Sequence, residues 1–134
     1  MQLKIATDYA IRIVAYLAHS KEVVPSIELH EKLGIPQSFV FKLAKKLCKE
    51  GVINTYVGAQ GGFVLALPPE EISLFTIINI MENTMKINRC LEDDGFCSRN
   101  ATSTCPVRRF YQNLQDDIEA SLKSMTIADL MKES

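Results

Sequence analysis

The stretch Gly34-Ile35-Pro36 limits the possible folds more than any other, because it stops one short helix and starts another within three residues. Glycine ends a helix in the left-handed conformation that other residues enter only at a cost. Proline fixes φ and lacks a backbone donor, so it belongs at a helix start. Upstream, Pro25-Ser26 opens a helix from Ile27 to Leu33, with Ser26 as its cap. Downstream, Pro36-Gln37-Ser38 begins a helix that runs to about Glu50 and is ended by Gly51. Val40, Leu43, Ala44 and Leu47 recur there at helical spacing and leave Lys42, Lys45, Lys46 and Lys49 largely outside. Two helices joined in this way form a helix-turn-helix pattern.

The flanking segments extend the pattern. Asp8 to Ala18 is apolar nearly all round, with Thr7 placed as an N-cap, and reads as a buried first helix. After Gly51 come two β-prone runs, Val52–Val57 and Phe63–Leu67, joined by Gly58-Ala59-Gln60-Gly61-Gly62. This is a hairpin with a glycine-rich tip, closed by Pro68-Pro69. Ser73 caps a short helix, Leu74 to Met81. Pro106 starts a long helix to about Lys123, with Val107, Phe110, Leu114, Ile118 and Leu122 at three- and four-residue steps, and Thr126 caps a last helix through Leu130. The predicted fold class is mainly α with a small β-hairpin wing, a winged helix-turn-helix domain followed by a long helix.

Helix, turn, helix and wing is the layout of a DNA-binding domain whose second helix enters the major groove with its N-terminal residues toward the bases. Gln37 can bond adenine bidentately, Ser38 can donate or accept, and Phe39 can touch a thymine methyl. Lys42, Lys45 and Lys46 can neutralise phosphates. Gln60, Gly61 and Gly62 at the wing tip complete the candidate DNA-contacting set, the glycines letting backbone approach the sugar–phosphate chain. Charge is divided accordingly. Residues 1–66 hold eight Lys/Arg against five Asp/Glu, whereas residues 67–134 hold seven against eleven.

Other classes are disfavoured. At 134 residues and 47% apolar, the chain is one domain with a real core. No apolar run approaches a membrane span and the start lacks the form of a secretion signal, so no membrane partner and a cytoplasmic location are expected. No Ser/His/acid set, carboxylate pair or phosphate loop is visible, which argues against an enzyme.

Cys90, Cys97 and Cys105 form a C-x6-C-x7-C stretch among Glu92, Asp93, Asp94, Ser98, Arg99 and Asn100, residues that belong in water. In a reducing compartment such clustering points to a metal or redox role rather than a disulfide framework. Three thiols are one short of the four ligands that zinc or an iron–sulfur cluster takes. A thiol switch is a further reading: Arg99 would lower a thiol pKa, while the acidic run would raise one at Cys90.

The ordered set Thr7-Asp8-Tyr9-Ala10-Ile11-Arg12, Gly58-Ala59-Gln60-Gly61-Gly62-Phe63-Val64-Leu65-Ala66, Pro68-Pro69-Glu70-Glu71-Ile72-Ser73-Leu74, the three-cysteine loop, Cys105-Pro106 and Thr126-Ile127-Ala128-Asp129-Leu130 resembles the Rrf-type winged helix-turn-helix transcriptional regulators, the IscR/NsrR/RirA group. The resemblance implies a homodimer on a palindromic double-stranded DNA operator, with the three cysteines ligating an iron–sulfur cluster (2Fe–2S or 4Fe–4S) whose state controls binding. It divides the chain into a DNA-binding domain over 1–83, a cluster-binding loop over 84–105, and a dimerisation helix with a C-terminal helix over 106–134. This sequence departs from the family at two positions. Val57 stands where members usually carry Arg before the wing, and Arg108, which cannot ligate a metal, stands where some carry a histidine ligand. The remaining fourth-ligand candidates are Asp8, His19, His30 and Cys48, of which Asp8 matches the position used by the family's nitric-oxide sensors, from the partner subunit. Two other readings stay open: a winged-helix regulator whose loop binds zinc or acts as a thiol switch, and a winged-helix module for protein contacts without DNA.

Overall fold

The computed structural model describes residues 1–133. Six α-helices and one hairpin follow in the order α1 (Ile5–His19), α2 (Ser26–Leu33), α3 (Gln37–Lys49), β1 (Ile53–Tyr56), β2 (Gly62–Leu65), α4 (Leu74–Met81), α5 (Pro106–Ser124) and α6 (Ile127–Lys132).

Two expected caps are corrected. Thr7 does not cap α1 but lies inside it, fully buried, its hydroxyl donating to the Glu82 carboxylate. The same carboxylate accepts the Lys4 backbone N–H at 2.9 Å. The donors at the start of α1 are thus met by a residue distant in sequence, and the helix begins earlier than local chemistry predicts. Ser26 likewise is the first residue of α2, behind Pro25, and its hydroxyl accepts instead from Gln37 Nε2 at 3.1 Å. Gly34 does end α2, at φ 67, and Ser73 caps α4 by accepting the Thr76 N–H. Thr126 and Asp129 form a reciprocal capping box on α6.

The helix-turn-helix is held by its own turn. Ile35 is fully buried, and its carbonyl lies 2.6 Å from His30 Nδ1. The His30 ring therefore fastens the α2–α3 junction. In the wing, β1 and β2 pair antiparallel with Ile53 opposite Leu65 and Tyr56 opposite Gly62. Val24, before α2, adds a bridge to the hairpin: its N–H donates to the Phe63 carbonyl at 2.9 Å and its carbonyl accepts the Phe63 N–H at 2.8 Å. Gly62 is needed there, because a Cβ at this position would lie 2.2 Å from the Val24 carbonyl oxygen. The sequence reading put Gly62 at the tip; it is the first residue of β2.

One core joins these parts: Ile13, Val14 and Leu17 from α1, Leu29 from α2, Val40, Leu43 and Leu47 from α3, Phe63 from the wing, Ile77 from α4 and Ile127 from α6. The start of α6 is fastened to the segment before α4, with the Ile127 N–H donating to the Ile72 carbonyl at 2.8 Å. α5 is different. Its one buried residue is Gln115, whereas Val107, Phe110 and Leu114 are 53%, 62% and 36% exposed. No helix among the described residues is long and apolar enough to cross a membrane.

Candidate functional site

The exposed face of α3 carries Ser38, Phe41, Lys42, Lys45, Lys46 and Lys49, opposite the buried Val40, Leu43, Ala44 and Leu47. Four-residue steps put Phe41 between Gln37 and Lys45. Gln37 is half-buried and tied to Ser26, so its amide nitrogen is partly engaged while its carbonyl oxygen keeps acceptor capacity. Phe39 is half-buried, packed on the core, and meets the Tyr9 ring edge-on at 5.7 Å. Lys42 Nζ leans over that same Phe39 ring at 5.9 Å. The aromatic side chain standing free on the face is Phe41, which periodicity alone does not distinguish from Phe39.

The wing tip lies beyond. Gln60 is exposed, Gly61 and Gly62 half-exposed, and Val57 is 94% exposed beside a 53% exposed Tyr56. Gly61 also has a packing reason: its Cβ would sit 2.4 Å from the Tyr56 carbonyl oxygen.

The cysteine loop is built from three anchors. Cys90 sits in a 3-10 turn, Arg89–Leu91, pinned by buried Leu91. Cys97 lies in the loop, and Cys105 is the N-cap of α5, directly before Pro106. All three are half-buried and reduced, and all line one cavity of about 310 Å³ together with Phe96, Thr102, Arg108 and Tyr111. The loop holds its own shape. Arg89 makes a two-pronged pair with Asp94 at 2.5 and 2.6 Å, and its guanidinium bonds hold the Asp94 carboxyl down at about 2. Thr102 Oγ1 donates to the Gly95 carbonyl at 2.6 Å.

Around Cys97 the backbone turns through Asn100 at φ 53. The N–H of Ala101 first, and then that of Arg99, bond the sulfur and lower its pKa, favouring the thiolate. Asn88 Nδ2 donates to Cys90 Sγ at 3.1 Å. Arg108 Nε donates to the Cys90 carbonyl at 3.1 Å, so this departure from the family pattern braces the turn. A sulfur-ligated group fits this chemistry: three thiols border one space and one of them is stabilised as the anion. The set supplies three donors only. Among the described residues no three His, Cys, Asp or Glu side chains converge enough to hold a metal unaided.

The fourth-ligand candidates lie elsewhere, none lining that cavity. Asp8 is exposed on α1 and pairs with Arg12 at 2.7 Å. His30 serves the α2–α3 turn, and Cys48 Sγ lies 2.8 Å from Thr55 Oγ1, joining α3 to the wing. His19 is exposed at the end of α1.

The link between loop and head is a segment the sequence did not single out. Gln115, fully buried on α5, accepts the Ile87 N–H at 2.9 Å and donates to the Met85 carbonyl at 3.0 Å and to Glu119 Oε2 at 2.9 Å. Thr7 and Gln115 are the buried polar side chains among the described residues, and both fasten the segment from Glu82 to Ile87 that leads into the cysteine loop. A glutamine four residues after Tyr111 and three before Ile118 was the available signal, a polar residue at an apolar step.

Comparison with known proteins bears on this architecture. A family model described as Rrf2, an iron-dependent transcriptional regulator, matches residues 3–133. The chain is 30% identical over 139 residues to the HTH-type transcriptional regulator NsrR of Halalkalibacterium halodurans, covering 98% of this chain and 90% of that protein. Among solved structures it is similar to CymR, the global cysteine regulator of B. subtilis, with a TM-score of 0.82 at 22% identity over 100% of this chain and 98% of the other. It is also similar to T. potens IscR, with a TM-score of 0.76 at 24% identity over 99% and 88%. The mainly helical fold with a two-stranded wing is that of these regulators.

Proposed function

This chain belongs to the Rrf2 family of DNA-binding transcriptional regulators, not enzymes, and on that premise we propose that it works as a homodimer whose three-cysteine loop holds an iron–sulfur cluster that sets affinity for a palindromic operator. The observation that carries the reading is the common cavity: Cys90, Cys97 and Cys105, separated in sequence, border one space at the start of α5. A loop built only to be solvated would have no reason to gather them.

Support for the dimer comes from α5. Val107, Phe110 and Leu114 expose apolar surface along one helix, and a second copy would cover it. Crossing of two such helices would carry one reading head to each half-site. In that assembly Cys90, Cys97 and Cys105 would hold the cluster, with Asp8 of the partner subunit as the fourth donor. Asp8 would have to leave Arg12, an exposed pairing that is weak and readily exchanged. The bound cluster would supply sensitivity to oxidation and ligand exchange.

The protein's own side chains supply the rest. Cluster binding would tie the already shaped loop to α1 of the partner subunit, and Gln115 would hold the near end of that loop to α5. Lys42, Lys45 and Lys46 would draw the head onto phosphates, while Gln37 and Ser38 reach base edges and Gln60, Gly61 and Gly62 approach the backbone.

Purification without oxygen, followed by a visible spectrum and iron and sulfide determination, tests the cofactor. A brown protein that loses its absorption in Cys90→Ser, Cys97→Ser and Cys105→Ser is expected. A colourless protein with bound zinc supports the zinc reading instead. Equal DNA affinity with and without the cluster would end the proposed sensing role, and no DNA affinity in either state would favour a protein-contact module.

A further inference from the structure

We infer that Phe41 reads the 5-methyl group of a thymine in each half-site, giving this regulator an apolar contact at the middle of its recognition helix. The inference rests on the DNA-binding reading and adds a specificity residue to it. Phe41 is 55% exposed and is the one large apolar side chain of α3 that stands in water. It occupies the face that carries Ser38, Lys42 and Lys45, all exposed. Phe39, the aromatic closer to the helix start, is withdrawn into the packing against Tyr9. The Lys42 ammonium lies over the Phe39 ring, at 5.9 Å from its centroid.

Flanking lysines on phosphates would fix the helix in register, and the ring between them would then meet base edges. The major groove offers one apolar group, the thymine methyl. An aromatic ring held at that depth can bury a methyl but cannot satisfy the amino group of adenine or cytosine, so it also disfavours those bases at its position.

The test begins with duplexes selected from a random-sequence pool by the full-length protein. Each thymine of the selected half-site is then replaced by deoxyuridine, which removes only the methyl. For the wild type, one such replacement in a single half-site is expected to weaken binding about fourfold, the factor for one buried methyl-sized group, and the same replacement in both half-sites about fifteenfold. Phe41→Ala should bind the thymine and deoxyuridine duplexes equally, and Phe41→Leu should keep part of the discrimination. Both variants should retain the wild-type dependence on salt, which a general loss of folding or docking would not leave intact. Wild-type indifference to every deoxyuridine replacement overturns the inference, as does undiminished discrimination in Phe41→Ala. Selection of no duplex at all overturns the DNA-binding reading and this inference with it.

Discussion

Replacing Gln115 with glutamate changes one atom type and almost no volume, yet it should be among the most damaging substitutions in the chain. The side chain has no exposed surface, and its amide nitrogen donates two hydrogen bonds, to the Met85 carbonyl at 3.0 Å and Glu119 at 2.9 Å. A carboxylate cannot donate either. Two lost bonds cost about 1 kcal/mol each. The new charge also lies against Glu119 in a site shielded from solvent, with Lys86 Nζ at 3.6 Å from Glu119 as the nearby compensation. An unpaired buried charge costs about 3–5 kcal/mol, which Lys86 reduces, so the total for Gln115→Glu is about 3–5 kcal/mol at neutral pH.

The sign with pH follows from which form the site accepts. The protonated acid is neutral and regains one of the two donations, so the introduced carboxyl has its folded pKa raised. The penalty is therefore largest above that value and recedes as pH falls through it. Urea unfolding of wild type and variant, at one fixed protomer concentration because a dimer is proposed, should show a gap of about 3–5 kcal/mol near pH 7 that narrows by at least about half near pH 5. Hydrogen exchange at Ile87 should quicken in parallel. A gap below about 1 kcal/mol at neutral pH, or one that does not change with pH, would refute the view of Gln115 as the buried clasp of this segment.

Other sites give independent tests. Gly62→Ala should lower stability by more than about 2 kcal/mol in thermal unfolding, because the added Cβ would lie 2.2 Å from backbone that has no rotamer to yield, and a neutral result would mean that the Val24 bridge is dispensable. Glu82 is pushed upward by burial, but the Thr7 hydroxyl and the Lys4 N–H outweigh this and hold its carboxyl below the ordinary 4.5. Because its folded pKa is depressed, its stabilising effect is present above 4.5 and lost as pH falls through the folded value. Wild type should accordingly lose more melting temperature than Glu82→Gln on going from about pH 5 to about pH 3, whereas parallel curves would remove Glu82 from this role. Changing Lys42, Lys45 and Lys46 together to alanine should reduce the salt slope of DNA binding by roughly 5 in a dimer, at about 0.9 per phosphate contact; a change below about 1 would make them a merely solvated face.

The local signals were strong where chemistry is local. Gly34 ending α2, Ser73 capping α4, Pro106 opening α5 and Thr126 capping α6 each depend on a few neighbouring residues, and each stands as read. Thr7 and Ser26 failed as caps for one shared reason: their hydroxyls are taken by Glu82 and Gln37, partners that only the folded chain brings near. The apolar stripe of α5 was legible but not its division. Tyr111, Ile118 and Leu122 are half-buried, while Val107, Phe110 and Leu114 face out.

By itself the sequence determined the order of elements, the basic face of α3 and the presence of three thiols in one polar loop, because these follow from periodicity, breakers and composition. Tertiary structure decided which groups meet. It gathered the three cysteines around one cavity, turned Arg108 from a failed ligand into a brace, and withdrew Phe39 while leaving Phe41 bare. Helical spacing says which residues share a face, but only packing against other elements says which of them remain free to bind.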